Sequence, residues 1–177
     1  MMPGGHLATS VLLGSAAYAY TRSFPLAAGC VLGGFLIDFD HYLDYIVFER
    51  QWRRPSPASF LQYYFRYKAQ KMVLPLHSLE LMTLLAGIAA FQPDPLLIGY
   101  WMGAAMHLVF DMLINGDHVL KRRVLFYVFA YRAFHRFRAE KLLDPITVSQ
   151  GTGERPYVEF FKWRPPEAAP IPPPETD

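Results

Sequence analysis

Residues 96–114 read LLIGYWMGAAMHLVFDMLI, and this stretch decides the fold class. About 20 apolar residues in an α-helix are enough to cross the roughly 30 Å of hydrocarbon in a bilayer. Within the stretch, His107 and Asp111 are four residues apart, so a helix places both side chains on one face. We therefore predict an apolar helix with one polar face, in an all-α protein that is associated with a membrane.

Three further apolar segments extend this prediction to the rest of the chain. They cover residues 7–20, residues 24–37 with a helical continuation through HYLDYIVF, and residues 72–91. Hydrophobic residues make up 53% of the 177 residues and charged residues only 18%, where an ordinary soluble domain has about 25% charged residues. We predict a membrane-associated helical bundle with about four apolar helices plus two basic amphipathic helices.

The two basic helices are predicted at residues 56–71 and 118–138. Ser56 and Pro57 suit the cap and the first position of a helix. Both segments interleave aromatic residues with basic ones, namely Arg66, Lys68 and Lys71 in the first and Lys121, Arg122, Arg123, Arg132, Arg136 and Arg138 in the second. This pattern is also typical of nucleic-acid binding, but beside apolar helices it favours an anionic lipid surface. An ordinary surface helix packed through its aromatic residues is the alternative for 56–71.

The chain length favours a single folded domain. The C-terminal end is predicted to be weakly structured. We predict a helical domain over residues 1–143 and a C-terminal extension over 144–163. Residues 164–177, RPPEAAPIPPPETD, are rich in proline, and we predict that they form a disordered tail.

The distribution of basic residues orients the predicted helices in the membrane. Arginine and lysine are concentrated in the loop after the second apolar segment and in the segment after the fourth. Such residues mark the cytoplasmic side of a membrane protein. We therefore predict an integral protein of an inner or cytoplasmic membrane, with both termini in the cytoplasm.

In this topology, eight ionisable residues from four helices lie at the same depth, near the cytoplasmic side: His6, Asp38, Asp40, His41, Asp44, His77, His107 and Asp111. Ionisable groups at membrane depth are unfavourable unless they face the bundle interior, pair with each other or bind a ligand. Imidazole and carboxylate groups together are common ligands of zinc, manganese and non-haem iron. Because Cys30 is the only cysteine, such a metal must be held by nitrogen and oxygen.

Each of these residues also has a simpler interpretation. His6 can be a residue that starts a helix, Asp38 can belong to a salt bridge, and Asp44 can extend to water. His118 and His135 are flanked by arginines, which favours solvent or the lipid interface over a metal. The roles of His41, Asp44, Glu80 and His118 stay open at this point.

Four short motifs, in this order, resemble the inner-membrane-associated metal-dependent hydrolases, some of them described as LexA-binding. They are GGHLATS at 4–10, DFDH at 38–41, LHSL at 76–79 and GAAMHLVFDML at 103–113. That family is distantly similar to zinc-dependent phospholipase C. The chain departs from the family pattern at Ile37, where proline is usual, and it lacks the His-Arg pair upstream of His77.

The resemblance implies a metal site formed by His6, Asp38, Asp40, His77, His107 and Asp111. It implies an enzyme that hydrolyses a phosphoester or a lipid-like substrate with water activated by a divalent metal, zinc ahead of manganese or iron. The departure before His77 implies a changed substrate or an inactive site.

Asp38 and Asp40 are the predicted catalytic residues. Two residues along a helix point about 200° apart, so both face one metal only if the helix is distorted or two sites flank it. We expect Asp38 to bind the metal or to act as general base, and Asp40 to bind a second ion or to orient a metal-binding histidine. The alternative function is a non-catalytic membrane protein, whose structural metal or polar network supports binding of lipid or a cytoplasmic partner. A transport pathway is disfavoured because the far halves of the helices offer few polar residues.

Overall fold

The regular structure of the described chain is helical. The computed structural model describes residues 3–48, 50–53, 56–57, 59–61, 69–114 and 120–144. Within these ranges there is no β-strand, and two isolated bridges join Lys71 to Arg138 and Leu120 to Leu143. The predicted all-α class is therefore confirmed over the described residues.

The described ranges contain long helices followed by short ones. In chain order they are α1 (Pro3–Thr21), α2 (Phe24–Leu36), α3 (Phe39–Phe48), a 3-10 helix (Gln51–Arg53), α4 (Leu79–Phe91), α5 (Pro95–Ile114), α6 (Arg123–Phe126), α7 (Phe129–Phe134) and α8 (Ala139–Leu142).

Side-chain caps fix where α2 and α5 begin. Ser23 accepts a hydrogen bond from the Leu26 N–H at the start of α2, and Pro25 follows in its first turn. The Asp94 carboxylate accepts from the Leu97 N–H at 2.9 Å in the first turn of α5. Such caps satisfy backbone donors that a helix start otherwise leaves unpaired.

Helices α2 and α5 pack through glycine. A Cβ atom on Gly33 would overlap the backbone of Tyr100, and one on Gly103 would overlap the carbonyl oxygen of Cys30. Glycine at these positions therefore allows the two backbones to approach closely, as small residues do where helices pack in membranes.

The order of these contacts gives the directions of the helices. Contacts between α2 and α5 advance in the same direction, from Gly29 beside Gly99 to Gly34 beside Gly103, so these two helices are parallel. Helix α1 runs the opposite way, because Ser10 near its start contacts Gly34 near the end of α2. The start of α1 and the ends of α2 and α5 consequently meet at one end of the bundle.

Two helical runs are long and apolar enough to cross a membrane, as judged by length and composition. They are Phe24–Phe48, which joins α2 and α3, and Pro95–Ile114, which is α5. Both expose large apolar side chains, such as Leu32 and Val109. Helix α4 is apolar but has only 13 residues. The predicted number of four apolar membrane helices is therefore not confirmed.

The third apolar segment, predicted as a helix over 72–91, is helical only from Leu79. Leu74 has a left-handed φ of 44°, and Pro75 follows it without an N–H to donate. Ser78 then caps α4 by accepting from the Leu81 N–H at 3.2 Å. The expectation that His77 lies in the third apolar helix is wrong, because His77 belongs to the loop before α4.

The predicted helix over 118–138 is also wrong in its described part, residues 120–138, where α6 and α7 are separate short helices. The Tyr127 carbonyl between them accepts from the Leu79 N–H at 2.8 Å. The Glu80 carboxylate accepts from the first two N–H groups of α7, at 2.8 and 3.0 Å. These contacts with the start of α4 take up backbone groups that a continuous helix would use internally.

One arginine of this segment does not face outward as predicted. Arg132 is completely buried, with a relative exposure of 0%. Other basic residues of the segment are exposed, namely Lys121, Arg122, Arg136 and Arg138. The segment therefore combines a basic outer surface with one buried cation.

The loop before α4 and the segment 120–144 pack together. The Met72 N–H donates to the Phe137 carbonyl at 2.9 Å, and the Ala139 N–H donates to the Gln70 carbonyl at 3.0 Å. A shared apolar core joins both to α2, α4 and α5 through Ile37, Leu74, Met82, Ala104, Leu108, Leu120, Phe126, Tyr127 and Leu142. This packing encloses the end of the bundle at which α1, α2 and α5 meet.

Several predicted features lie outside the described residues. They include His118, residues 58 and 62–68 of the basic helix 56–71, the tail 164–177 and all of the extension 144–163 except Asp144. The predicted start of the first basic helix is described, and there the Ser56 hydroxyl accepts from the Ser59 N–H at 3.4 Å. The predicted cap at Ser56 is confirmed.

Candidate metal centre

Four elements bring predicted site residues together at the enclosed end of the bundle. His6 comes from the start of α1, Asp38 from the junction of α2 and α3, His77 from the loop before α4, and His107 with Asp111 from the last turns of α5. The three histidines are at most 1% exposed and Asp111 is 6% exposed. The side chain of Asp38 is 22% exposed, so this carboxylate marks the side of the cluster nearest to solvent.

The helix through the DFDH sequence is interrupted at Ile37 and Asp38. Residues 37 and 38 form a turn between α2 and α3, and the His41 N–H donates to the Asp38 carbonyl at 3.2 Å. This tighter bonding pattern distorts the helix locally. Because of the distortion, Asp38 and Asp40 both point toward the cluster, although two residues of a regular helix would point about 200° apart.

Both central histidines use Nδ1 for a hydrogen bond within the protein. His107 Nδ1 lies 2.8 Å from the Gly34 carbonyl oxygen, which only accepts, so this nitrogen carries the proton. His77 Nδ1 lies 3.0 and 3.1 Å from the two oxygens of Asp40. In the neutral rings, both Nε2 atoms therefore carry lone pairs, and they lie only 3.2 Å apart. Either a metal ion or a shared proton between the two Nε2 atoms would remove the repulsion of these facing lone pairs.

Two carboxylates complete this arrangement. Asp38 Oδ1 lies 3.6 Å from Nε2 of His77 and 3.4 Å from Nε2 of His107. Asp111 Oδ2 lies 3.8 and 3.3 Å from the same two nitrogens. Four ligands at zinc bond lengths of 2.0–2.2 Å would be separated by about 3.3–3.6 Å in a tetrahedron. The five separations that involve a histidine nitrogen are 3.2–3.8 Å, close to this range.

His6 lies behind this group and contacts its other side. Its Nε2 is 3.0 Å from Asp111 Oδ1, and its ring stacks on His107 with centroids 3.6 Å apart. Its buried Nδ1 has no hydrogen-bond partner among the described residues. Ligand atoms of His6, His107 and Asp111 all lie within 4.8 Å of one another, so these three residues could also hold an ion.

Asp40 contacts the cluster through His77. Besides the ring nitrogen, its Oδ2 accepts from the N–H groups of Leu76 and His77, at 3.0 and 3.2 Å. The side chain is completely buried. Of the two roles that the sequence left open for Asp40, these contacts correspond to orienting a metal-binding histidine.

The structure also gives contacts for His41 and Asp44, whose roles the sequence left open. His41 groups with Asp38 and His77, with ligand atoms within 4.8 Å of one another. Its three-residue spacing from Asp38 was the available signal in the sequence. Asp44 lies further along α3, where it accepts from the N–H groups of Val73 and Leu74 at 2.6 and 3.2 Å. Asp44 therefore holds the loop that carries His77.

The charges around His77 shift its titration. Burial lowers the pKa of the imidazole, but the Asp40 and Asp38 carboxylates more than compensate and raise the pKa to about 9. These carboxylates therefore favour the protonated form of His77. A divalent cation would replace that proton, because only a neutral imidazole binds metal.

The donor set is suitable for a divalent metal. It offers imidazole nitrogens and carboxylate oxygens in a buried site, which suits zinc, manganese and iron. Comparison of the chain with models of protein families, with characterised proteins and with solved structures gives no match.

Proposed function

We propose that the chain is a membrane-associated metal-dependent hydrolase. The observation that carries this proposal is the pair of Nε2 atoms of His77 and His107, which face each other at 3.2 Å between two carboxylates. The order of the four motifs, which resembles the inner-membrane-associated metal-dependent hydrolases, supports the same chemistry. Zinc is the proposed metal, with manganese or iron as alternatives.

His77, His107 and Asp111 hold the metal in this proposal, and His6 supports Asp111 from behind. Held by these residues, a divalent cation would supply Lewis-acid chemistry, which would polarise a substrate oxygen and lower the pKa of water from 15.7 toward about 7. Asp38 is the member of the cluster most exposed to solvent. It is therefore placed to accept a proton from water as general base.

The membrane setting suggests the substrate class. The candidate spans Phe24–Phe48 and Pro95–Ile114 both contribute to the cluster from their C-terminal halves, so the site would lie toward the cytoplasmic side of an inner or cytoplasmic membrane. Exposed basic residues on the same end include Lys71 and Arg138, and they favour an anionic lipid surface. A phosphoester of lipid-like character suits this location.

A second candidate is a structural metal site in a non-catalytic membrane protein that binds lipid or a cytoplasmic partner. The observation that favours it is that Asp38 and Asp111 both place an oxygen within 3.8 Å of the Nε2 atoms of His77 and His107, so that these four residues could fill a tetrahedral site. A filled tetrahedron has no position for substrate. In that case Asp38 is a ligand and not a base.

Elemental analysis of the full-length chain, extracted and purified in detergent, tests the metal site. We expect stoichiometric zinc in the wild type and in a His135→Ala control, and none in His107→Ala. His135 is a suitable control because it contacts Tyr131 and Phe134 instead of the cluster. Full metal occupancy in His107→Ala would exclude this site.

Hydrolysis of a chromogenic phosphodiester by the same three preparations separates the two candidates. Turnover by the wild type and the control, abolished in His107→Ala, supports the hydrolase. Stoichiometric metal without turnover of a phosphodiester or of phospholipid vesicles favours the structural site. A wild type without bound metal, even after dialysis against zinc, contradicts both.

A further inference from the structure

A buried guanidinium lies beside the metal-binding loop and contacts the cluster through the backbone carbonyl of His77. Arg132 of α7 is completely buried, and within the described chain no carboxylate forms a salt bridge with it at 4.0 Å or less. Its hydrogen bonds go to three backbone carbonyls. Nη1 donates to His77 at 2.9 Å and to Phe126 at 2.5 Å, and Nη2 donates to Leu74 at 2.8 Å.

Two of these carbonyls belong to the loop that carries His77. Carboxylates from α3 bind the N–H groups of the same loop, Asp44 those of Val73 and Leu74, and Asp40 those of Leu76 and His77. The carboxylates of α3 therefore hold the loop through its N–H groups, and Arg132 holds it through its carbonyl groups. An irregular loop in apolar surroundings needs hydrogen-bond partners for its backbone N–H and carbonyl groups.

The position of Arg132 is itself fixed from the start of α4. Glu80 caps α7 through the N–H groups of Phe129 and Ala130. The guanidinium also lies over the rings of Phe126 and Phe129, at 5.5 and 5.7 Å from their centroids. These contacts restrict the conformation of Arg132. Its hydrogen bond therefore fixes the position of the His77 carbonyl.

We infer that Arg132 is a positioning residue of the metal centre, which holds the His77 backbone so that Nε2 points at His107. This inference rests on the proposed metal site. Arginine suits the role because its planar fork reaches the Leu74 and His77 carbonyls at once, whereas a lysine ammonium reaches them only as a single point of charge. Loss of a contact that orients a metal-binding residue typically weakens metal affinity by about 10–100-fold.

A double-mutant cycle tests the inference. Zinc affinity is measured by calorimetric titration of the full-length chain in detergent for the wild type, Arg132→Met, Asp40→Asn and the double variant, because removal of the ligand His77 itself would leave no affinity to measure. We expect Arg132→Met to weaken binding by about 10–100-fold in the wild type and by less in the Asp40→Asn background, because both residues act through the position of His77. An equal loss in both backgrounds, or no loss in either, would overturn the inference.

Two further variants separate positioning from general effects of charge and folding. Arg22→Met removes an exposed arginine near the opposite end of the bundle and should leave zinc affinity unchanged. Arg132→Lys should lose less affinity than Arg132→Met, because the ammonium still donates to one carbonyl. Circular dichroism checks that each variant is helical, and Arg132→Lys alone enters the cycle if Arg132→Met does not fold.

The ¹⁵N resonances of the His77 imidazole provide a readout that does not need metal. The His77→Ala variant assigns them, and Arg132→Met should shift them in the metal-free chain because the ring moves relative to Asp40. Unchanged resonances would contradict the role of Arg132. If the wild type binds no zinc, the proposed function fails, and this comparison alone decides the inference.

Discussion

At the residue scale, the geometry of His77 depends on Asp40. The carboxylate binds the ring nitrogen of His77 and two backbone N–H groups of its loop. This arrangement fixes which nitrogen carries the proton and therefore which nitrogen is available to a metal. Asp40 thus contributes to the proposed site by controlling a ligand.

Replacement of Asp40 with Asn tests that contribution. The amide keeps the shape of the side chain but removes the charge, so we expect zinc affinity to fall by about 10–100-fold with little change in helical content. Titration with zinc in the presence of a competing chelator measures the effect. Asp94→Asn, at the opposite end of the bundle, is the matched control. An Asp40→Asn variant with the affinity of the wild type would show that His77 is positioned without this carboxylate.

At the scale of elements, glycine sets the separation of α2 and α5. The positions Gly99, Gly103, His107 and Asp111 follow one another at four-residue intervals on α5, so one helix face carries the packing glycines and then the site residues. Gly34 on α2 supplies the carbonyl that orients His107. Close packing of the two helices and the geometry of the site are therefore linked.

Paired glycine substitutions measure this link. In Gly33→Ala, the new methyl group would overlap the Tyr100 backbone, and overpacking of this kind typically destabilises by about 1–3 kcal/mol. In Gly87→Ala, no atom of the described residues outside the helix's own nearby backbone lies within 4 Å of the new methyl group, so we expect a gain of about 0.5–1 kcal/mol from helix propensity. Thermal unfolding in detergent should lower Tm for the first and raise it slightly for the second. A Gly33→Ala variant as stable as Gly87→Ala would contradict close packing of α2 against α5.

At the scale of the whole molecule, the candidate metal centre joins elements that are far apart in sequence. His6 and Asp111 are 105 residues apart, and His77 and His107 are 30 apart. A ligand that binds only the folded arrangement stabilises the entire bundle by mass action. Metal binding and folding should therefore be coupled.

Removal of metal from the purified chain should lower its stability. At a free metal concentration 100 times Kd, the stabilisation is about 2.7 kcal/mol, so a chelator should lower Tm by several degrees and added zinc should restore it. His107→Ala should show neither change, whereas His135→Ala should behave as the wild type. A wild-type Tm that is the same with and without chelator would show that the metal does not link these elements.

The sequence contained most of what is needed to predict the helical class and the membership of the cluster. Apolar segments of about 13–20 residues predict helices whose apolar faces are buried in the protein or in contact with lipid. The spacing of His107 and Asp111 predicts a shared face, and the helices bring both to the cluster. The predicted number of four apolar helices is not confirmed, because the segment 72–91 contains a capped loop and a helix of only 13 residues.

By itself, then, the sequence determined which chemical groups this protein has and which of them share a helix face, because these depend on composition and local periodicity. Only the tertiary structure decided that Asp38 lies with the two Nε2 atoms, that Asp40 orients His77, and that Arg132 is buried behind its loop. The physical reason is that an irregular loop takes its shape from hydrogen bonds with distant residues. Those partners satisfy its backbone in the folded chain, and no short spacing in the sequence encodes them.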